Sequence, residues 1–202
     1  MSALDQVTVI ARQDAFRFLS ASYCEPTPIF REERLFESIS GVAEFLGPEA
    51  KASADRLSKA FDGTTDQDLL VDYTRLFVGP ARPLAPPYES VWVSPSENLS
   101  QEPTLAVLEL YQQGGFCIDD GINDLPDHIA VELEFVYRML FESNHAEQQG
   151  DHEKAAITRA LHDQFLAQHL NRWVDPFLQT VADHASTSFY QELSVFSRHV
   201  LT

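Results

Sequence analysis

The chain has 202 residues, of which 44% are apolar, enough for one globular domain with a full hydrophobic core. Its 14 basic residues stand against 31 acidic ones, a formal net charge of −17 that repels phosphate backbones and anionic membrane faces, so nucleic acid is excluded and a cationic peptide favoured as partner. Two cysteines without a CxxC, no apolar run of bilayer length, and Asp5 where a secretory peptide would be positive exclude a disulfide framework, a thiolate metal site and stable membrane insertion, and point to the cytoplasm.

From Leu4 to Tyr23 the apolar residues Leu4, Val7, Ala11 and Phe18 keep helical spacing, and "EPTP" at 25–28 stops the run. A second helix is predicted over Ile29–Leu46, with Leu35, Phe36, Ile39 and Val42 on one face, and a third from about Glu49 to Phe61. Thr64 and Gln67 have capping-box spacing ahead of Leu69, Leu70, Tyr73, Leu76 and Phe77, which predicts a fourth helix ending at "VGP".

Gly79 to Pro103 holds six of the eleven prolines and shows neither helical nor alternating periodicity. A loop of this length is commonly functional. Within it, "APPYESVWVSP" (85–95) is expected to be non-helical and to form a shaped binding surface, with Trp92 packed back on the helices and Tyr88 equally suited to a groove. Pro103 then suits the first turn of a helix carrying Leu105, Leu108 and Tyr111 to a Gly114-Gly115 stop. After the turn-rich "IDDGIND", the longest helix is predicted over 125–149 with Ile129, Leu133, Val136 and Leu140 as its core stripe. Further helical runs are read at Asp151–Val174, Pro176–His184 and Phe189–Leu201. The class is all-α: one domain of about eight to ten helices, with an N-terminal half (1–78), a proline-rich loop (79–103) and a C-terminal half (104–202).

The seven histidines and 31 carboxylates are the residues that could carry chemistry. Glu142 and His145 form an ExxH pair on one helix face, but a carboxylate-bridged bundle needs two such pairs with further glutamates, and His162 and His169 are expected at the surface. A helical metal-dependent enzyme built on Glu142 and His145 is therefore the alternative reading, and no metal or other cofactor is expected. His128 and Glu132 stand at i, i+4, so that the carboxylate could hold the imidazole, with Asp127 in the first helical turn; the set lacks a nucleophile. Phosphate-binding glycine loops, the GxSxG elbow and HExxH are all missing.

Two motifs in order, "YTRLFVGPARPLAPPYESVWV" at 73–93 and "LPDHIAVELEF" at 125–135, resemble the TorD/DmsD/NarJ family of redox-enzyme maturation chaperones. In that family a helix ending in Leu-Phe-x-Gly runs into a proline-rich loop, and a later helix opens with Asp-His followed by Glu-Leu. The resemblance implies an all-helical cytoplasmic protein without catalytic activity. It would bind the twin-arginine leader and catalytic subunit of a molybdopterin oxidoreductase, with the Tat translocase as a further partner, and withhold that subunit from export until its cofactor is inserted. Carried over by motif, the leader-binding residues are Leu76, Pro87, Tyr88, Ser90, Pro126, Asp127 and His128. The chain departs from the dimethyl sulfoxide reductase branch at Tyr88-Glu89, where that branch has Trp-Gly, which leaves the client enzyme open. A receptor for two guanidinium groups needs carboxylates beside apolar surface, a role open to Asp127, Glu89 and Glu132 with Leu76, Tyr88 and Phe77. The long loop is compatible with a monomer or an exchange dimer.

Overall fold

The computed structural model describes residues 3–80, 82–93, 101–117 and 124–201; residues 94–100 of the proline-rich loop and all but Asp124 of the "IDDGIND" turn lie outside them. The regular elements are helical: α1 (Ala3–Ser22), α2 (Ile29–Glu32), α3 (Leu35–Ala43), α4 (Pro48–Asp62), α5 (Asp66–Tyr73), α6 (Glu89–Val93), α7 (Gln101–Gln113), α8 (Ile129–Gln149), α9 (His152–Phe165), α10 (Asn171–His184) and α11 (Ser188–Leu201). Two π-helical turns, Thr74–Val78 and Leu166–Leu170, follow α5 and α9. The all-α class read from the sequence is the class observed.

Contacts divide the chain into two compact units, one of residues 1–86 with 175–202 and one of residues 87–174. In the first, α11 packs on α4 and α1, and α3 packs on α4 and α1. Its core is aromatic: Phe36, Phe61 and Phe189 meet with ring centroids 4.4 to 5.6 Å apart, and Tyr23 contacts Phe77 and Phe177. Such pairs add to the area they bury through edge-to-face electrostatics. The buried Asp72 carboxylate ties α5 to the start of α11 by accepting the backbone N–H groups of Ser186 and Thr187.

The second unit is built from α6, α7, α8, α9 and the beginning of α10. Here α8 packs along α9, and Tyr111, Phe135 and Phe165 form the aromatic centre with centroids 4.6 to 5.8 Å apart. Gly114 lets the end of α7 approach α8, since a Cβ there would lie 2.9 Å from Phe135 Cε2 and 3.0 Å from Met139.

Several local expectations are corrected. The run 29–46 is two helices, because Arg34 adopts a left-handed conformation (φ 52°) between α2 and α3. The cap of α5 is Thr65, whose hydroxyl oxygen accepts Asp68 N–H, while the Thr64 hydroxyl bonds back to Ala60 O. On α8 the fourth core position is Met139 rather than Leu140. The expected break before Pro176 is absent, and α10 runs through the proline. A proline inside a helix costs about 3 kcal/mol, and the buried Trp173, Val174, Phe177 and Leu178 around it in sequence supply the compensating packing. Finally, 85–95 is not wholly irregular, since Glu89–Val93 winds into α6, on which Trp92 is half-buried.

Candidate functional site

The two motifs meet in the second unit. Tyr88 and His128 form an antiparallel bridge, in which Ile129 N donates to Pro87 O (2.8 Å) and Glu89 N donates to Asp127 O (3.0 Å). Pro87 cannot donate, but its carbonyl is free to accept, so the proline fixes the chain direction without weakening this pairing. The Asp127 carboxylate continues the junction, accepting Ser90 N–H at 3.0 Å through Oδ2 and the Thr104 hydroxyl at 3.1 Å through Oδ1. Backbone and side chain of Asp127 thus satisfy the first two N–H groups of α6, which a five-residue helix cannot satisfy itself. Asp127 is therefore not in the first turn of α8, as the spacing suggested, but one residue before its cap.

That cap is His128. Its Nδ1 accepts the Ala130 N–H at 3.2 Å, so the ring must be neutral with its proton on Nε2. Burial pushes its pKa below the ordinary imidazole value, against the opposing pull of Asp124 and Asp127. The Tyr88 ring lies edge-on to the imidazole at 5.1 Å, and the Tyr88 hydroxyl donates to the exposed Asp124 at 3.3 Å. Burial and the Asp124 carboxylate push the Tyr88 phenol up to about 12, so it remains a donor at physiological pH. Pro126 is half-buried, and its carbonyl accepts the buried Tyr111 hydroxyl at 2.8 Å.

Beneath this junction lie carboxyl groups that water does not reach. Glu132 does not hold His128; its Oε2 accepts the indole N–H of Trp173 at 3.1 Å. Full burial, reinforced by Glu89, pushes the Glu132 pKa well above the usual carboxyl range and favours the neutral acid. Glu89 Oε2 accepts from His169 Nδ1 at 2.8 Å, and Arg172 Nη1 stands 3.9 Å from Glu89 Oε1. Glu89 Oε1, Ser90 Oγ and Glu132 Oε1 are buried without a hydrogen-bond partner among the described residues.

The structure therefore brings together Pro87, Tyr88, Glu89, Ser90, Pro126, Asp127, His128 and Glu132 in one unit. Leu76 and Phe77 belong to the other unit and are buried in it. Of the sequence candidates, Tyr88 and Pro126 are partly exposed, whereas Glu89, Ser90, Asp127 and Glu132 are fully enclosed. His169 is not a surface residue, because Glu89 compensates its burial. His169, Arg172 and Trp173 were missed as site residues, although their i, i+3, i+4 spacing on one helical face is visible in "HLNRW". His169 sits in the π-helical turn between α9 and α10, a distortion frequently found at functional sites.

The ExxH pair gathers no such network. Glu142 bonds to Lys154 at 2.9 Å, His145 is exposed, and among the described residues no group of three or more His, Cys, Asp or Glu side chains is placed to hold a metal ion. No helix among the described residues is long and apolar enough to cross a membrane.

Comparison with known proteins gives a consistent result. The family model described as nitrate reductase delta subunit matches residues 44–179. The chain is 28% identical over 160 residues to the chaperone protein TorD of Vibrio parahaemolyticus, covering 79% of this chain and 73% of that protein. It is 30% identical over 141 residues to the Tat proofreading chaperone DmsD of Salmonella typhimurium, covering 70% of this chain and 62% of that one. In fold it is similar to the crystal structure of a proposed redox enzyme maturation protein from Archaeoglobus fulgidus, with a TM-score of 0.54 at 17% identity over 98% of this chain and 95% of the other. With well over half of its length matched, and with both motifs joined in one junction, the chain belongs to the nitrate reductase delta subunit family, the TorD/DmsD/NarJ group of redox-enzyme maturation chaperones.

Proposed function

We propose that the protein is a maturation chaperone that binds the twin-arginine leader of a molybdopterin oxidoreductase catalytic subunit at the Tyr88–His128 junction. It retains that subunit in the cytoplasm until the cofactor is inserted. The observation that carries this reading is the bridge between Tyr88 and His128. The bridge sets a partly exposed aromatic ring and the exposed Asp124 and Leu125 above a base of buried carboxyl groups.

An arginine-bearing peptide is attracted to such a surface by Asp124 and by the net charge of −17, while its apolar segment has Tyr88 and Leu125 to pack against. Asp127 and His128 act as positioning residues that hold Tyr88 in place. An extended leader must be ordered on binding, which keeps affinity in the range of about micromolar. Support also comes from the relatives named as chaperones, TorD and DmsD.

The test is calorimetric titration of the full chain with twin-arginine leaders of the molybdoenzymes encoded in the same genome, beside twin-lysine controls. One leader is expected to bind, more weakly after the lysine exchange and after Tyr88→Ala. Absence of binding to every leader overturns the reading.

A further inference from the structure

Glu89 is completely buried, yet its two oxygens are treated differently. Oε2 takes the His169 imidazole at 2.8 Å, while Oε1 makes no hydrogen bond among the described residues. Arg172 Nη1 stands 3.9 Å from that oxygen, outside hydrogen-bond reach, and donates instead to Gln168 O at 3.3 Å. The Arg172 side chain is 54% exposed, so it extends from solvent toward a carboxylate that solvent itself does not touch. Arg172 thus offsets the charge of Glu89 without satisfying its open oxygen. The hydroxyl of the adjacent Ser90 is a second buried acceptor without a partner.

We infer that Glu89 Oε1 receives a guanidinium group of the partner, the leader in the reading proposed above on which this inference rests, and that Arg172 is its built-in competitor. Guanidinium is the matching chemistry for two reasons. It is more weakly hydrated than ammonium and so enters a closed site at lower desolvation cost, and the approach to Glu89 already accommodates one guanidinium in Arg172. A group that occupies the approach in the free protein lowers the apparent affinity of its replacement, and its removal raises it.

The experiment uses full-length wild type, Arg172→Ala and Glu89→Gln. The probes are a peptide with two adjacent arginines followed by an apolar segment and its double-lysine counterpart, compared by calorimetry. Arg172→Ala is expected to tighten the arginine peptide about three- to tenfold and the lysine peptide less, and Glu89→Gln to remove the preference for arginine. Unchanged or weaker arginine-peptide binding by Arg172→Ala, when wild type binds, overturns the inference and leaves leader binding intact. A second measurement needs no leader: ethylguanidinium and ethylammonium are titrated into Arg172→Ala while the His169 imidazole is followed by NMR. A His169 shift that saturates at lower concentration with ethylguanidinium supports the site even if no peptide binds. No shift, or equal response to both cations, overturns it.

Discussion

The Asp127 carboxylate accepts the backbone N–H of Ser90 across 37 residues of sequence, so the start of one helix is completed by the residue that precedes the cap of another. Asp127→Ala leaves the Ser90 N–H and the Thr104 hydroxyl short of a buried acceptor, and is expected to cost about 2–3 kcal/mol in denaturant unfolding. Asp127→Asn keeps one carbonyl acceptor and should lose less. If Asp127 acted only by touching the leader, both variants would unfold like wild type.

His128 makes stability pH-dependent on the acid side. Its folded pKa lies below the ordinary 6.5 because burial disfavours the imidazolium, so the unfolded chain binds the extra proton. The contribution is fully present above about pH 6.5 and is lost as pH falls from there toward the folded pKa. His128→Asn retains a cap acceptor without a titrating ring. Its unfolding free energy should fall less than that of wild type between pH 7 and pH 5, measured in parallel urea titrations.

Glu132 acts in the opposite direction. With its pKa raised by burial and by Glu89, the folded state keeps a proton that the unfolded state releases above about pH 4.5, so this group removes stability as pH rises. Glu132→Gln preserves an oxygen for the Trp173 N–H and carries no such penalty. The variant should gain on wild type in melting temperature as the buffer is moved from pH 5 to pH 8, and a constant difference across that range would refute the neutral-acid assignment.

Asp72 anchors the first unit. Burial raises its pKa, but the N–H groups of Thr187 and Ser186, the Thr187 hydroxyl and Arg75 outweigh burial and hold it below the ordinary carboxyl value. A lowered carboxyl pKa gives stability that is present above about pH 4 and lost as pH falls through the folded pKa. Asp72→Ala strands two backbone donors at the start of α11, and the expected loss is about 2–4 kcal/mol by denaturant titration.

What was legible in the sequence were the features governed by near neighbours. The apolar stripes of α1, α4 and α11 place those helices to within a residue or two, whereas α8, read from Leu125, begins only at Ile129 because Asp127 and His128 are taken up by the pairing with Pro87–Ser90 and by the cap. The motif pair 73–93 and 125–135 located most of the junction. What escaped were features completed by distant partners. Nothing within 85–95 announces α6, because the acceptor for its first N–H groups lies in Asp127. His169 reads as a surface residue until Glu89, 80 positions away, is placed against it. Leu76 carries a family motif, yet the fold uses it in the core of the other unit.

The connectivity of the two units has a consequence for folding. Every residue of the junction, from Pro87 to Trp173, belongs to one uninterrupted stretch, whereas the other unit draws on both 1–86 and 175–202. Because domains generally fold as units, the contiguous unit can close its contacts without the last segment, whereas its companion needs 175–202 to place α11 on α4 and α1. The stretch that carries the Tyr88–His128 junction is therefore the one whose folding does not depend on the C-terminal segment.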